Sequence, residues 1–303
     1  MGYGVRADGT GAYDLTIENS SIKAPRPVVV RETTGAYNLT IGEGVNLTST
    51  AILNKYQVIM TNGDDDTRVY PTSQEATATI NSNVTNIFGF EAKVDNVYYT
   101  TLAKAFADAE SGDTLTFLRD ITSAGLSIAK DITIDLGGFN YTINKAVGSQ
   151  GTESQGFQLL PAAENVTIKN GSIEVAEETN VVWMFNDYTA NLKVENVTID
   201  CENMVWSKSV YLIVANNEHG TNPCPVFSNV NIVNYDVTKR PHALLEYNTE
   251  FTAQAGLDVT TDVAGYTVKH VDGVYKLVAN MVVNTNTNVT YPSSYSLSSS
   301  KSV

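Results

Sequence analysis

Asn165-Val166-Thr167-Ile168 is the stretch on which the fold of this chain turns. A turn-forming Asn precedes an apolar residue, a Thr and a second apolar residue. Side chains alternate across a strand, so Val166 and Ile168 share one face while Thr167 points to the other. Like strings stand at Asp131-Ile132-Thr133-Ile134, Asn196-Val197-Thr198-Ile199 and Asn229-Val230-Asn231-Ile232. From Ile132 through Val166 and Val197 to Val230 the steps are 34, 31 and 33 residues. A regular step of this size marks a solenoid or array. Stacked copies predict an inward column of Ile132, Val166, Val197 and Val230. They predict an outward column of Thr133, Thr167, Thr198 and Asn231. The leading Asp131, Asn165, Asn196 and Asn229 would then hydrogen-bond from one copy to the next, as amide ladders do. At about 3.3 Å per residue, one step spans a loop of three short strands and their turns.

Between the copies lie further strand-like runs: Phe157-Gln158-Leu159-Leu160, Val181-Val182-Trp183-Met184-Phe185 and Val210-Tyr211-Leu212-Ile213-Val214. They suit second or third sheets of the same coil. The competing reading is an ordinary β-sandwich, which also shows short strands separated by turns.

One segment reads as helix. In Thr101 to Glu110, Leu102, Ala105, Phe106 and Ala109 make a single apolar stripe, Thr100 or Thr101 can cap the start, and Gly112 follows the last turn. An amphipathic helix of this kind can cover the open end of a solenoid. Two hairpin signals, Lys93-Val94-Asp95-Asn96-Val97-Tyr98 and Val271-Asp272-Gly273-Val274, have Val94 and Val271 177 residues apart. The same offset carries Asp14-Leu15-Thr16-Ile17-Glu18-Asn19 onto Asn191-Leu192-Lys193-Val194-Glu195-Asn196. Residues 1–92 therefore read as the second half of a unit, ending in a hairpin. Its complete copy runs over 93–278, with the capping helix at 101–110. The tail, 279–303, is rich in Ser, Thr and Asn and reads as a linker. This reading makes the chain part of a longer array, or else a homo-oligomer in which the short first part stacks on a partner.

Composition limits the partners. The 303 residues hold 19 Lys+Arg against 33 Asp+Glu, a net charge of −14. That balance argues against nucleic acid, whose phosphates need clustered cations, and against anionic lipid. No apolar run reaches the ~20 residues that span a bilayer. Charged residues are only 17 %, with polar uncharged residues in their place, which suits strands joined by polar turns.

Val97-Tyr98-Tyr99-Thr100-Thr101-Leu102-Ala103-Lys104-Ala105-Phe106-Ala107-Asp108-Ala109, then Gly112-Asp113-Thr114-Leu115, then Ile132-Thr133-Ile134-Asp135-Leu136-Gly137-Gly138, resembles the opening of right-handed parallel β-helix modules. Such modules occur in large surface or secreted proteins of bacteria and phages and share ground with the pectin-lyase-like superfamily. The resemblance implies an extracellular, cell-surface or virion-surface setting and contact with glycans or neighbouring surface proteins. It also brings in polysaccharide lyases and hydrolases as the enzymatic alternative.

Pectin-type hydrolases in that group carry an Asn-Thr-Asp motif, an Asp pair, a Gly-His-Gly and an Arg-Ile-Lys. This chain lacks the set, and only Glu218-His219-Gly220 is faintly similar to the third part. The acidic loop Asp64-Asp65-Asp66 is the candidate Ca²⁺ site, weighed against a solvated loop, since the EF-hand spacing is absent. No other cofactor is expected. Cys201 and Cys224 have no metal-type spacing and read as two separate thiols. The Asn-x-Ser/Thr strings, Asn165, Asn170 and Asn196 among them, mostly coincide with the strand-entry pattern, so the fold accounts for them. For ligand contact the candidates are Tyr188, Asn186 and Asp187, a ring beside an amide and a carboxylate in a turn. Val181, Trp183 and Phe185 share a parity and are expected inside.

The fold expected is thus all-β, a right-handed parallel β-helix (solenoid) with a short N-terminal capping helix and a terminal β-hairpin. The role expected is non-catalytic: a rigid spacer and an adhesion or glycan-contact module. The alternative is a polysaccharide lyase or glycoside hydrolase of the pectin-lyase-like superfamily, or a degenerate relative. Ice binding through outward Thr is disfavoured, because Asn231 breaks a column only one residue wide.

Overall fold

Alternating burial along short strands builds the molecule. In Tyr37–Ile41, Tyr37, Leu39 and Ile41 are buried while Asn38 is exposed, the period of two that a sheet with one covered face requires. The computed structural model describes residues 2–9, 12–32, 37–62, 70–71, 76–188, 190–205, 212–215, 225–238, 245–247, 258–271 and 274–280. Among these the protein is all-β, with one helix.

Most pairing is parallel, and strands pair with strands that follow two or three elements later. Tyr3–Gly9, Tyr13–Ile17 and Ser21–Ala24 pair in that order with Arg26–Glu32, Tyr37–Ile41 and Asn46–Ser49. Two of these ladders continue onto Val58–Thr61 and Thr77–Ile80. A second parallel set runs Thr114–Phe117, Ile132–Asp135, Asn165–Val175, Asn191–Asp200, Val226–Val233 and Val259–Thr261. Beside it lies a five-stranded parallel sheet of Leu126–Ile128, Gln155–Leu159, Trp183–Asp187, Ile213–Ala215 and Leu245–Tyr247. The runs expected between the repeat copies thus share one sheet, as far as the described residues reach. Parallel ladders of this extent do not suit a sandwich of antiparallel sheets.

The two sets meet at a hairpin. Ala92–Val94 and Val97–Tyr99 fold back around Asp95, whose φ is +51°. Val97–Tyr99 pairs antiparallel with Thr77–Ile80, and Ala92–Val94 antiparallel with Thr114–Phe117. The hairpin thereby splices one ladder of the first set, Tyr13–Ile17, Tyr37–Ile41 and Thr77–Ile80, and the second set into one 13-stranded sheet. The second expected hairpin is also present, with Tyr266–Val271 antiparallel to Val274–Ala279.

The helix is Leu102–Asp108, shorter than the expected 101–110 by its two ends. Thr101 is its N-cap, with Oγ1 accepting from Lys104 N at 3.4 Å. Glu91 Oε2 accepts from Leu102 N at 2.7 Å, filling a second orphan donor. Leu102, Ala105 and Ala109 are buried in the core of the second set, and Phe106 packs against it. A separate core, which includes Val28, Leu39, Ile41 and Ala78, fills the first set.

The expected single column needs correction. Ile132 pairs with Val166 and Val197 with Val230, but Val166 pairs with Leu192 and Val197 with Gly171. Outward, Thr133 pairs with Thr167 and Thr198 with Asn231, while Thr167 pairs with Lys193. The cause is a bend. Asn165–Val175 and Asn191–Asp200 each have two arms, and the residue between the arms, Asn170 or Asn196, is left-handed with φ +59° or +54°. Asn tolerates this region better than other residues with a Cβ. The repeated string occupies the first arm at 165–168 but the second arm at 196–199, so the two copies belong to different columns.

Amide ladders form in this shifted register. Asn165 Nδ2 donates to Asp131 Oδ2 at 3.2 Å, and Asn191 Nδ2 to Asn165 Oδ1 at 3.2 Å. At the bend, Asn170 Nδ2 donates to Asp135 Oδ1 at 3.1 Å, and Asn196 Nδ2 to Asn170 Oδ1 at 3.3 Å. The sequence offset of 177 also has a backbone counterpart, since Asn19 (φ +46°) matches Asn196.

Candidate functional site: an aromatic recess at the splice

The hairpin that joins the two sets forms one wall of a recess of about 520 Å³. Inward Ala92 and Val94 are buried, so alternation turns Lys93 outward. Lys93 stands opposite Tyr98 on the partner arm, its Nζ 5.8 Å from the Tyr98 ring centre. Phe90 meets Tyr98 edge-on, with centroids 5.7 Å apart. Phe88, on the short strand Ile87–Phe88, stacks with Tyr70 at 4.5 Å and lies tilted beside Tyr56 at 5.5 Å. Ser82 and Thr85 add hydroxyls to the lining.

Two devices hold these rings. Gln57 Oε1 accepts from Thr85 N at 2.9 Å and Asn86 N at 3.1 Å, while its Nε2 donates to Leu47 O at 2.8 Å, so one side chain fixes the turn before Phe88. The guanidinium of Arg119 lies 4.1 Å over the Tyr70 ring, a cation–π contact that holds it. Arg119 is itself anchored by Glu91 at 2.5 Å, the carboxylate that also caps the helix. Gly89 lets the chain turn: its φ is +110°, and a Cβ would stand 2.0 Å from Met60 O.

Burial holds the Tyr98 phenol above its ordinary range. Burial likewise raises Tyr70, with Arg119 acting in the opposite sense and Tyr56 adding to the rise. Both phenols stay neutral hydrogen-bond donors near pH 7. Among the described residues the lining thus offers ring faces, hydroxyls and one ammonium group. Ring faces beside a few polar groups are what a sugar needs, with C–H faces against rings and hydroxyls on polar atoms.

The residues expected to bind ligand lie elsewhere. Asn186 and Asp187 are 2 % and 0 % exposed, inside the five-stranded sheet, and Asp187 Oδ1 accepts from Ala190 N at 2.9 Å. Any contact with a large ligand from this turn falls to Tyr188, which is half-buried. Val181 and Phe185 are buried as expected, while Trp183 is half-buried. Asp64, Asp65 and Asp66 lie outside the described residues, as do Cys224, His219 and His242. Cys201 is buried. No cluster of three or more His, Cys, Asp or Glu suited to a metal occurs among the described residues. No described helix is long and apolar enough to cross a membrane.

Sequence reasoning missed the recess. A signal was present in Phe88 and Phe90, which share a parity just ahead of the hairpin arm with Tyr98. Tyr56, Tyr70 and Leu118, however, come from separate stretches of chain and join them only in the tertiary fold. No protein-family model matches the chain, and no curated protein or solved structure is significantly similar to it.

Proposed function

We propose that this protein is a non-catalytic β-solenoid that serves as a rigid spacer and glycan-contact module of an extracellular or virion-associated surface. Its backbone would wind as a right-handed parallel β-helix, interrupted once by the hairpin splice. In-register parallel ladders with steps of 19 to 39 residues support that winding, as in Leu115–Ile134 and Leu39–Ala78. So do the separate sheets visited in turn along the chain. Amide ladders stiffen such an array along its length.

The observation that carries the contact role is the recess, where aromatic rings from the first set and from the splice hairpin itself line one cavity with hydroxyls and Lys93. The partner is an extracellular glycan, and a neighbouring surface protein would be engaged through the glycan it bears. A glycan array probed with the full chain tests this. Tyr98→Ala and Tyr56→Ala should each weaken binding about tenfold, with circular dichroism unchanged. Absence of glycan binding, or binding indifferent to both substitutions, would overturn the contact role. Release of reducing ends or unsaturated products from a uronate polysaccharide panel would overturn the non-catalytic part.

A further inference from the structure

Among the described residues the recess carries one charged side chain on its lining, and the charge is positive in a chain of net −14. The splice itself sets that charge. Lys93 lies on the hairpin arm between buried Ala92 and Val94, and cross-strand pairing places it opposite Tyr98. Its ammonium lies beside the Tyr98 ring, and among the described residues no carboxylate stands within ion-pair distance of it. Arg119, another nearby cation among the described residues, lies over the Tyr70 ring, outside the lining, and is neutralised by Glu91.

An aromatic cavity can also hold a quaternary ammonium, but a cation on the lining repels one. A wholly apolar ligand would leave the ammonium and the hydroxyls of Ser82 and Thr85 without partners. The lining suits a ligand with a flat apolar face, several hydroxyls and one negative group. We infer that the recess takes an acidic saccharide, with its ring against the Tyr98 and Phe88 side and its carboxylate or sulfate on Lys93. This assignment rests on the reading of the recess as a glycan site.

The test presents the full chain to immobilised neutral, uronic-acid and sulfated oligosaccharides, at low and at high sodium chloride. Acidic members should be bound in preference, and more weakly at high salt. Lys93→Gln should lower that binding about tenfold, while Lys93→Arg keeps most of it. The uronic-acid and sulfated arms identify the source of the negative group. Equal binding of neutral sugars that is lost in Tyr98→Ala but unchanged in Lys93→Gln would overturn the acidic class and leave the glycan site standing. Binding to none of the oligosaccharides, or binding unchanged in Tyr98→Ala, would overturn both.

Discussion

Asn229 donates its side-chain amide to Asn196 Oδ1 at 2.9 Å across 33 residues of chain, and both residues hold left-handed backbones. Asn196 in turn donates to Asn170, which donates to Asp135, so the bend in each strand is tied to the bend in the next. The pairing register follows this line of bends more closely than it follows the repeated string.

Asn196→Ala removes one ladder donor and one acceptor and places a Cβ without compensating bonds at φ +54°. The expected loss is about 1–3 kcal/mol, from hydrogen bonds and the left-handed backbone together. Asn196→Gly restores the backbone freedom but not the amide, so it should cost about 1 kcal/mol. Urea unfolding of both variants measures the order, and equal losses would show that the backbone contributes nothing.

Gly89→Ala should destabilise the wall of the recess. The strained backbone alone costs about 1–3 kcal/mol, and the added methyl meets Met60 O at a distance that no Cβ tolerates. A lowered thermal midpoint together with weakened glycan binding is the expected outcome.

Asp131 predicts an acid limb of the stability curve. Its carboxylate accepts from Asn165 N at 3.0 Å and Glu164 N at 2.7 Å, and these backbone bonds hold its pKa below the ordinary 3.8. A depressed folded pKa contributes stability above the unfolded value, and that stability is lost as pH falls through the folded value. The wild type should therefore weaken below about pH 4. Asp131→Asn should flatten that part of the curve while leaving its neutral arm lower. Chemical denaturation at stepped pH reads both.

Phe157 and Phe185 stack with centroids 5.1 Å apart and planes at 17°, on neighbouring strands of the five-stranded sheet. Tyr141 meets Phe157 edge-on at 5.8 Å, and all three are fully buried. Phe157→Ala should cost about 3–5 kcal/mol by opening a cavity in this column. Phe157→Leu should cost clearly less. The difference in urea midpoint between the two variants checks the packing.

Local chemistry made much of this legible. Leu102, Ala105 and Ala109 at helical spacing, the two-residue turn at Asp95-Asn96 and the alternation in Asn165-Val166-Thr167-Ile168 each specify their own element within a few residues. The ladder Asn residues were also readable, because Asn before an alternating run serves a turn. The site was not. Asn186 and Asp187 have the residue types of a sugar contact, yet the parallel pairing Leu159–Asp187 carries them into a covered sheet. Exposure is a property of what lies over a strand, and the strand itself does not encode it.

The sequence by itself determined the all-β class, the helix, both hairpins and the 177-residue recurrence, because period-two and period-3.6 burial, turn propensity and capping act over a few neighbouring residues. Tertiary structure alone decided that Val166 faces Leu192 rather than Val197, and that Tyr56, Tyr70, Phe88 and Tyr98 share one cavity. Those outcomes depend on how left-handed bends align between strands some 24 to 39 residues apart, as in Leu15–Leu39 and Leu39–Ala78. Identical strings in different arms are locally indistinguishable, and only the closure of backbone hydrogen bonds along a whole ladder tells them apart.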